Sequence, residues 1–259
     1  MTKVHVVALL AAVVSQLQLI GAFTALTGSQ TRHGTNALRH LSSSSSSASE
    51  DASNAALFSS AGWPAIKKDL DELPVFTVAN KKGQPLQYSV GGSPMPFFFV
   101  DLDAAREELL KAKADSTISD MKGMEGIDII PFPLGDAFLL METGKGVVVP
   151  SQQAIEDAGA PKDVSPVGQQ VPLFACMTIT QEDRDGKPLL PLFFVKQEVQ
   201  DAIDEALAID GGGGEEEFAI TCISLQKAVE LLATAPEATA FNFLPPQKSL
   251  QHIKDYLEG

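Results

Sequence analysis

Few residues of this chain have the types and spacing that a chemical site requires. Only one histidine, His252, lies beyond the first 40 residues, which hold the other three (His5, His33 and His40). A nucleophilic triad or a histidine-based metal site would therefore need to form around His252 alone. His252 precedes the apolar Ile253 on the exposed edge of a predicted terminal helix, so we interpret it as a structural residue.

The two cysteines, Cys176 and Cys222, both lie in predicted strands. They form no C-x-x-C motif, so the residues of thioredoxin-type redox chemistry are missing. We favour the interpretation that both are buried free thiols, since buried cysteine behaves as a small apolar residue. A disulfide between them is the alternative that the sequence leaves open.

Other short motifs have simpler structural explanations. Ser224 and Lys227 match S-x-x-K, but the partner motifs S-D-N and K-T-G are missing, and Ser224 suits a helix N-cap. Asp101 and Asp103 flank a predicted helix start, where capping and the helix dipole account for both carboxylates. The glycines and glutamates of residues 211–217 lack the ligand spacing of a calcium loop and predict a solvated linker. Nucleotide-binding and hydrolase motifs are also missing, so we expect no catalytic, metal-binding or cofactor-binding residues.

Acidic residues are confined to the later part of the chain. All 33 Asp and Glu residues follow residue 49, whereas the first 49 residues carry three basic side chains, Lys3, Arg32 and Arg39. Removing these three positive charges from the formal net charge of −14 leaves −17 for the body. Such a charge disfavours nucleic acid, and it allows at most peripheral association with an anionic membrane. Basic polypeptides are the partners that it favours, within a screening length of about 8 Å.

The first 55 residues have the composition of targeting signals. Lys3 precedes an apolar run that ends at Ala22, and this run is shorter and more polar than a membrane span needs. Residues 1–22 are therefore predicted as a signal peptide, and the Ser-rich residues 23–55 as a transit-peptide-like segment that is removed or disordered. Phe23 follows the predicted cleavage point, which resembles the Ala-Phe junction of precursors bound for complex plastids. A signal peptide followed by a low-complexity linker is the alternative.

Residues 56–259 are predicted as a single duplicated domain with a pseudo-two-fold axis, because one set of motifs occurs twice in the same order. The first copy covers about residues 73–160 and the second about residues 171–257. Pro74-Val75-Phe76 recurs as Pro172-Leu173-Phe174, and residues 127–134 recur as residues 218–225. Both copies alternate short strands with amphipathic helices, which predicts an α/β fold of the α+β type with antiparallel-rich sheet. Two equivalent grooves are more in keeping with this symmetry than one catalytic cleft.

Phenylalanine is concentrated in the duplicated strands, and 13 of the 14 lie beyond residue 55. The motif at residues 96–100 recurs at residues 191–195, which aligns Phe99 with Phe194. Strand alternation then places four apolar side chains on equivalent faces, namely Phe97, Phe99, Leu192 and Phe194. Leaving a Phe in water forgoes about 1.5–3 kcal/mol. Either helices cover both faces of these strands, or one face lines a groove for apolar ligands.

These motifs, in this order, resemble the twenty-two-kilodalton soluble component family of the translocon at the inner envelope membrane of chloroplasts (Tic family). The resemblance covers about residues 73–257. It rests on several short motifs: Leu73-Pro74-Val75-Phe76, Phe97-Phe98-Phe99-Val100-Asp101, Pro191-Leu192-Phe193-Phe194-Val195-Lys196 and Phe243-Leu244-Pro245-Pro246. The first copy departs from the family's pattern after Val100, where the basic residue of the strand-to-helix junction is missing.

The resemblance implies a pseudo-symmetric α/β protein without a cofactor, in the intermembrane space of a complex plastid's envelope. It also implies a protein that is not an enzyme, that binds precursor proteins in transit in a chaperone-like way and that contacts other translocon subunits. On this basis Phe97, Phe99, Leu192 and Phe194 form a candidate apolar groove for client polypeptides. A carboxylate-based plastid enzyme and a structural adaptor that binds no client are the alternatives.

Overall fold

The computed structural model describes residues 56–115, 126–182, 185–210, 218–234 and 240–258. The chain divides into two units, Met1–Ser60 and Ala61–Gly259, and every element named below lies in the second. The predicted signal peptide (1–22), the whole transit-peptide-like segment (23–55) and the predicted linker (211–217) lie outside the described residues.

Helices and strands alternate along the described part of the second unit. The helices are α1 (Trp63–Asp71), α2 (Leu102–Ala114), α3 (Leu134–Glu142), α4 (Gln152–Asp157), α5 (Lys196–Asp210), α6 (Leu225–Thr234) and α7 (Gln247–Glu258). The strands of the first copy are β1 (Pro74–Ala79), β2 (Gln87–Val90), β3 (Ser93–Phe99), β4 (Asp128–Pro133) and β5 (Val147–Val149). Those of the second copy are β6 (Pro172–Cys176), β7 (Gln181–Glu182), β8 (Pro188–Phe193), β9 (Ile220–Ser224) and β10 (Phe241–Leu244).

The two copies build two sheets of the same topology. In the first sheet the order is β2-β3-β1-β4, with β5 parallel to β3; in the second sheet β8 pairs with β7, β6 and the parallel β10, and β9 follows β6. The central antiparallel pairs correspond, since Phe76 is the partner of Phe99 and Phe174 is the partner of Phe193. The predicted α/β class and internal duplication are thereby confirmed.

The ladders correct the predicted alignment of the copies by one residue in β8. The repeated motif aligns Phe99 with Phe194, whereas the pairings with the neighbouring strands make Phe193 the equivalent of Phe99. Successive side chains of a strand point to opposite faces, so Leu192 lies on the face opposite to that of Phe193 and does not correspond to Phe97 or Phe99. Phe194 follows the end of β8 and corresponds to Val100, which follows the end of β3. A repeated motif within an apolar segment does not determine the strand register, whereas backbone pairing does.

Local signals in the sequence set the helix starts. The carboxylate of Asp101 accepts a hydrogen bond from the backbone N–H of Asp103 at 3.2 Å, as expected for the N-cap of α2. The hydroxyl of Ser224 likewise accepts from the N–H of Lys227 at 3.2 Å and caps α6. Within the described ranges, no helix has both the length and the apolar character needed to cross a bilayer.

The last helix of each copy packs on the sheet of the other copy. Ile253 of α7 contacts the first-sheet cluster around Phe76, together with α2. Ala154 of α4 belongs to the second-sheet cluster around Phe174, together with α5. This reciprocal exchange joins the two sheets through side chains that are far apart in sequence.

The starts of these two exchanged helices are capped differently. At α4 the hydroxyl of Ser151 accepts from the N–H of Ala154 at 3.0 Å. At α7 the corresponding position is Pro246, which has no hydroxyl, and the N–H of Gln247 instead donates to Oε1 of Glu198 at 2.9 Å. The cap of α7 therefore comes from α5, a helix almost fifty residues earlier in the chain.

Candidate functional site

The four residues predicted to line an apolar groove do not share an open surface. Phe99, Leu192 and Phe194 are 5%, 1% and 4% exposed, and Phe97 is half-buried. Leu192 also lies on the opposite face from Phe193, the true equivalent of Phe99. The burial of Phe99, Leu192 and Phe194 leaves no open groove at these three residues, and the role of the four residues in binding stays a prediction. None of the phenylalanines in the described ranges is fully exposed, which agrees with helices that cover both sheet faces.

Phe97 is the centre of a partly exposed apolar patch on the first sheet. Its ring stacks on Tyr88, with ring centroids 4.1 Å apart and 10° between the planes. Met95 is the cross-strand partner of Tyr88 and shares its face. Leu109 of α2 packs against the clusters that Phe97 and Tyr88 join, and the next residue, Leu110, is 69% exposed. We call Tyr88, Met95, Phe97, Leu109 and Leu110 the Phe97 patch.

Tyr88 keeps its phenol neutral in this patch. Burial, together with the neighbouring Glu108 carboxylate, raises the pKa of Tyr88 well above its usual value. A neutral Tyr88 ring stacked on Phe97 offers an apolar surface at any physiological pH. The patch is therefore suited to binding apolar side chains and has no group that is activated for acid–base catalysis.

The second copy lacks an equivalent of the aromatic pair. At the positions of Tyr88, Met95 and Phe97 the ladders place Gln181, Leu189 and Pro191. Oε1 of Gln181 accepts a hydrogen bond from Nδ2 of Asn242 at 2.6 Å. A polar bridge between β7 and β10 therefore stands where the first copy has stacked rings, so the two predicted grooves are not equivalent.

A shallow cleft of about 330 Å³ separates α2 from α7 and has a charged rim. It is lined by Leu102, Asp103, Arg106, Lys248, Gln251, His252 and Asp255. Asp103 accepts from Nζ of Lys248 at 2.8 Å and from Nη1 of Arg106 at 3.1 Å. The bond from Lys248 holds the pKa of Asp103 below its usual value. These exposed ion pairs position the helix ends and form no catalytic constellation.

His252 lines this cleft and is half-buried, and it does not lie on the exposed edge that the sequence predicted. Its ring is edge-on to Phe76, with centroids 5.5 Å apart. The contact fixes the imidazole against the first-sheet core and joins α7 to β1.

Both cysteines are free thiols. Cys176 is buried, as predicted, whereas Cys222 is exposed at the surface of β9, so the prediction of a buried thiol is wrong there. Desolvation by the surrounding atoms nevertheless raises the pKa of the Cys222 thiol to about 11. Cys222 is therefore protonated at neutral pH and is not an activated nucleophile. In the described ranges, no cluster of three His, Cys, Asp or Glu side chains is placed to hold a metal ion.

Sequence reasoning missed most of the Phe97 patch. Tyr88 and Leu110 lie outside the repeated motifs from which the candidate groove was predicted. The sequence pattern that could have indicated Tyr88 is the alternation of polar and apolar residues in Gln87-Tyr88-Ser89-Val90, which is typical of a strand with one apolar face.

Solved structures of two Tic22 proteins share this architecture. Tic22 from Plasmodium falciparum matches with a TM-score of 0.62 and 17% identity, over 75% of this chain and 98% of that chain. Tic22 from Anabaena, which is a protein-transport protein, matches with a TM-score of 0.58 and 16% identity, over 74% of this chain and 96% of that chain. No protein-family model and no curated protein matches the sequence. At this identity the likeness shows the fold: the chain has a Tic22-like fold, and the resemblance that its motifs indicate is confirmed.

Proposed function

We propose that this protein is a component of plastid protein import that binds precursor proteins in transit in a chaperone-like way. Its place would be the intermembrane space of a complex plastid's envelope, which it would reach through the bipartite leader of residues 1–55. The Tic22-like fold supports a role in import, since the Anabaena protein of this fold functions in protein transport. The observation that carries client binding is the Phe97 patch, a partly exposed aromatic surface on an acidic body.

The Phe97 patch offers weak and reversible binding to apolar side chains of an unfolded polypeptide. Phe97 and Tyr88 present their stacked rings, and Leu110, which follows Leu109 in α2, is 69% exposed. Burial of one more large apolar side chain against them contributes about 1.5–3 kcal/mol, which alone corresponds to weak binding. Weak contacts release a client by mass action, and the sequence has no nucleotide-binding motif that would drive a cycle.

Suppression of aggregation tests this proposal. We expect the full chain to delay the aggregation of a heat-labile client protein, measured by light scattering, and we expect the double variant Phe97→Ser/Leu110→Ser to lose most of this effect. Leu250→Ser is the matched control, because Leu250 is 50% exposed but lies on α7 outside the patch. Equal protection by all three folded proteins, or no protection by the wild type, would contradict the proposal.

Crosslinking separates client binding from the adaptor alternative. A photoreactive amino acid at position 110, in import reactions with a stalled precursor, should attach to the precursor. An adaptor would crosslink to translocon subunits alone. Because Leu110 is 69% exposed, replacing it should leave the fold intact.

A further inference from the structure

Each sheet ends in an outer strand, β4 in the first and β9 in the second. The hydrogen bonds of each strand show which of its backbone groups point away from the sheet. Among the described strands, β4 pairs only with β1 and β9 only with β6. The N–H of Leu134 donates to the carbonyl of Leu73 at 2.9 Å, and the N–H of Leu225 donates to that of Val171 at 2.8 Å. Backbone groups of an antiparallel strand alternate between inward and outward directions. The outward-facing residues are therefore 129, 131 and 133 in β4 and 220, 222 and 224 in β9.

None of the three outward positions of β4 has an N–H group that is available to another strand. Pro131 and Pro133 have no N–H. The N–H of Ile129 donates to the carboxylate of the preceding residue, Asp128, at 2.9 Å. Prolines and charged residues at these positions block the pairing of a sheet edge with another chain.

The same three positions of β9 keep their donors, since they hold Ile220, Cys222 and Ser224. Ala219 stands at the position of Asp128 and offers no side-chain acceptor to Ile220. Thr221 and Cys222 are exposed, and β9 carries no charge and no proline. An exposed strand of this composition is a template for the addition of another strand.

Charge selects the kind of strand that this edge can accept. Both α5 and α6 contact β9. Helix α6 holds one lysine and one glutamate, whereas α5 holds five acidic residues and one basic residue, Lys196, whose charge acts on Cys222. A second copy of the chain would bring the same net charge of −14 and the same acidic helix to the edge. An extended segment with basic and few acidic residues has the complementary charge. Residues 23–49 of this chain have that composition, with Arg32 and Arg39 and no acid.

We propose that the outer edge of β9 binds an extended, basic segment of another polypeptide by strand addition. Backbone hydrogen bonds from Ile220, Cys222 and Ser224 would hold the segment, and the net negative charge of the chain would attract its basic side chains. The inference rests on the proposed function and deepens it, because it assigns the leader of a precursor to the second copy and apolar segments to the Phe97 patch. The edge of the first copy would take no part.

The proposal is tested by introducing the two prolines of β4 at the equivalent positions of β9. The probe is a labelled nine-residue peptide of alternating valine and arginine, and binding to the full chain is measured by fluorescence anisotropy at low salt. In Cys222→Pro/Ser224→Pro the edge copies Pro131 and Pro133 and loses two donors. We expect affinity to fall about tenfold or more, since each lost hydrogen bond contributes to binding. Cys222→Ser keeps the N–H and should bind like the wild type.

A second probe removes any dependence on the folding of the double-proline variant. The same peptide with every backbone amide N-methylated keeps its charge and side chains but has no N–H group to donate along either edge. Loss of binding by this peptide to the wild type would support strand addition. Equal binding of both peptides, or equal binding by the wild type and the double-proline variant, would overturn it.

The outcomes also separate this inference from the proposed function. If the wild type suppresses aggregation but binds no peptide at β9, the edge proposal fails and client binding stands. If it binds the peptide and suppresses nothing, the edge proposal stands and the chaperone-like role fails. If the chain forms a concentration-dependent dimer in sedimentation that Cys222→Pro/Ser224→Pro abolishes, the occupant is a second copy and our proposal is wrong.

Discussion

The two copies share a sheet and differ at the surface. The first has stacked aromatic rings on β2 and β3 and a blocked outer strand, whereas the second has the Gln181–Asn242 bridge and an unblocked outer strand. Their central phenylalanines are nonetheless equally buried, Phe76 at 0% and Phe174 at 1% exposure. Duplication has therefore preserved the residues that form the core and left the exposed positions free to diverge. This divergence is the reason that we propose two different binding tasks for the two halves and not two equivalent grooves.

Because the central phenylalanines of the two copies are equally buried, replacing either one should give the largest loss in the free energy of unfolding. Phe76→Ala and Phe174→Ala should each lower the free energy of unfolding by about 3–5 kcal/mol, because both rings are fully buried. Since α4 and α7 exchange sheets, each variant should still unfold in one transition, measured by urea denaturation followed by circular dichroism. Leu250→Ala, at an exposed position, is the control. Separate unfolding of the two copies would show that the exchange does not couple them.

The caps of the exchanged helices give a smaller and asymmetric effect. Ser151→Ala should cost about 1 kcal/mol through the loss of a local cap. Glu198→Ala should cost a similar amount, whereas Glu198→Gln should cost less, because an amide oxygen can still accept from the N–H of Gln247. If Glu198→Ala leaves the free energy of unfolding unchanged, the long-range cap has no energetic role.

Glu198 also has a pH signature that Ser151 cannot have. Burial raises the pKa of Glu198 above its ordinary value of 4.5, against the lowering effect of the bond from Gln247. Protonation of Glu198 therefore favours the folded state, and this contribution is complete below the ordinary pKa and lost as pH rises through the raised pKa. The difference between wild type and Glu198→Gln should change with pH in this window, and the difference for Ser151→Ala should not.

The ion pair across the α2–α7 cleft gives the smallest effect. Asp103 and Lys248 are 46% and 74% exposed, so Lys248→Gln should lower the free energy of unfolding only slightly, and this effect should disappear at high salt. The pKa of Asp103 is lowered from 3.8, so its contribution is present above that value and is lost as pH falls through the lowered pKa. Unfolding of Asp103→Asn and wild type at low and neutral pH checks the sign, which is opposite to that of Glu198.

The sequence by itself determined the local elements of this protein. Asp101 and Ser224 were predicted as N-caps from their residue type and the apolar periodicity that follows, and both accept the expected backbone hydrogen bond. The duplication was also readable, because the motifs of β4 and β9 align at the same ladder positions. Such features depend on contacts between residues close in the chain, or on patterns that repeat along it.

Only the tertiary structure decided which apolar residues are accessible. Phe97 and Phe194 belong to the same repeated motif, yet Phe97 lies within β3 and is half-buried, whereas the one-residue difference in register places Phe194 after the end of β8, where it is buried. The unblocked edge of β9 likewise follows from hydrogen bonds between distant strands, which assign Cys222 and Pro131 to the same outward position. Register, helix exchange and edge exposure arise from pairing across long stretches of chain, and an apolar pattern is compatible with more than one such pairing.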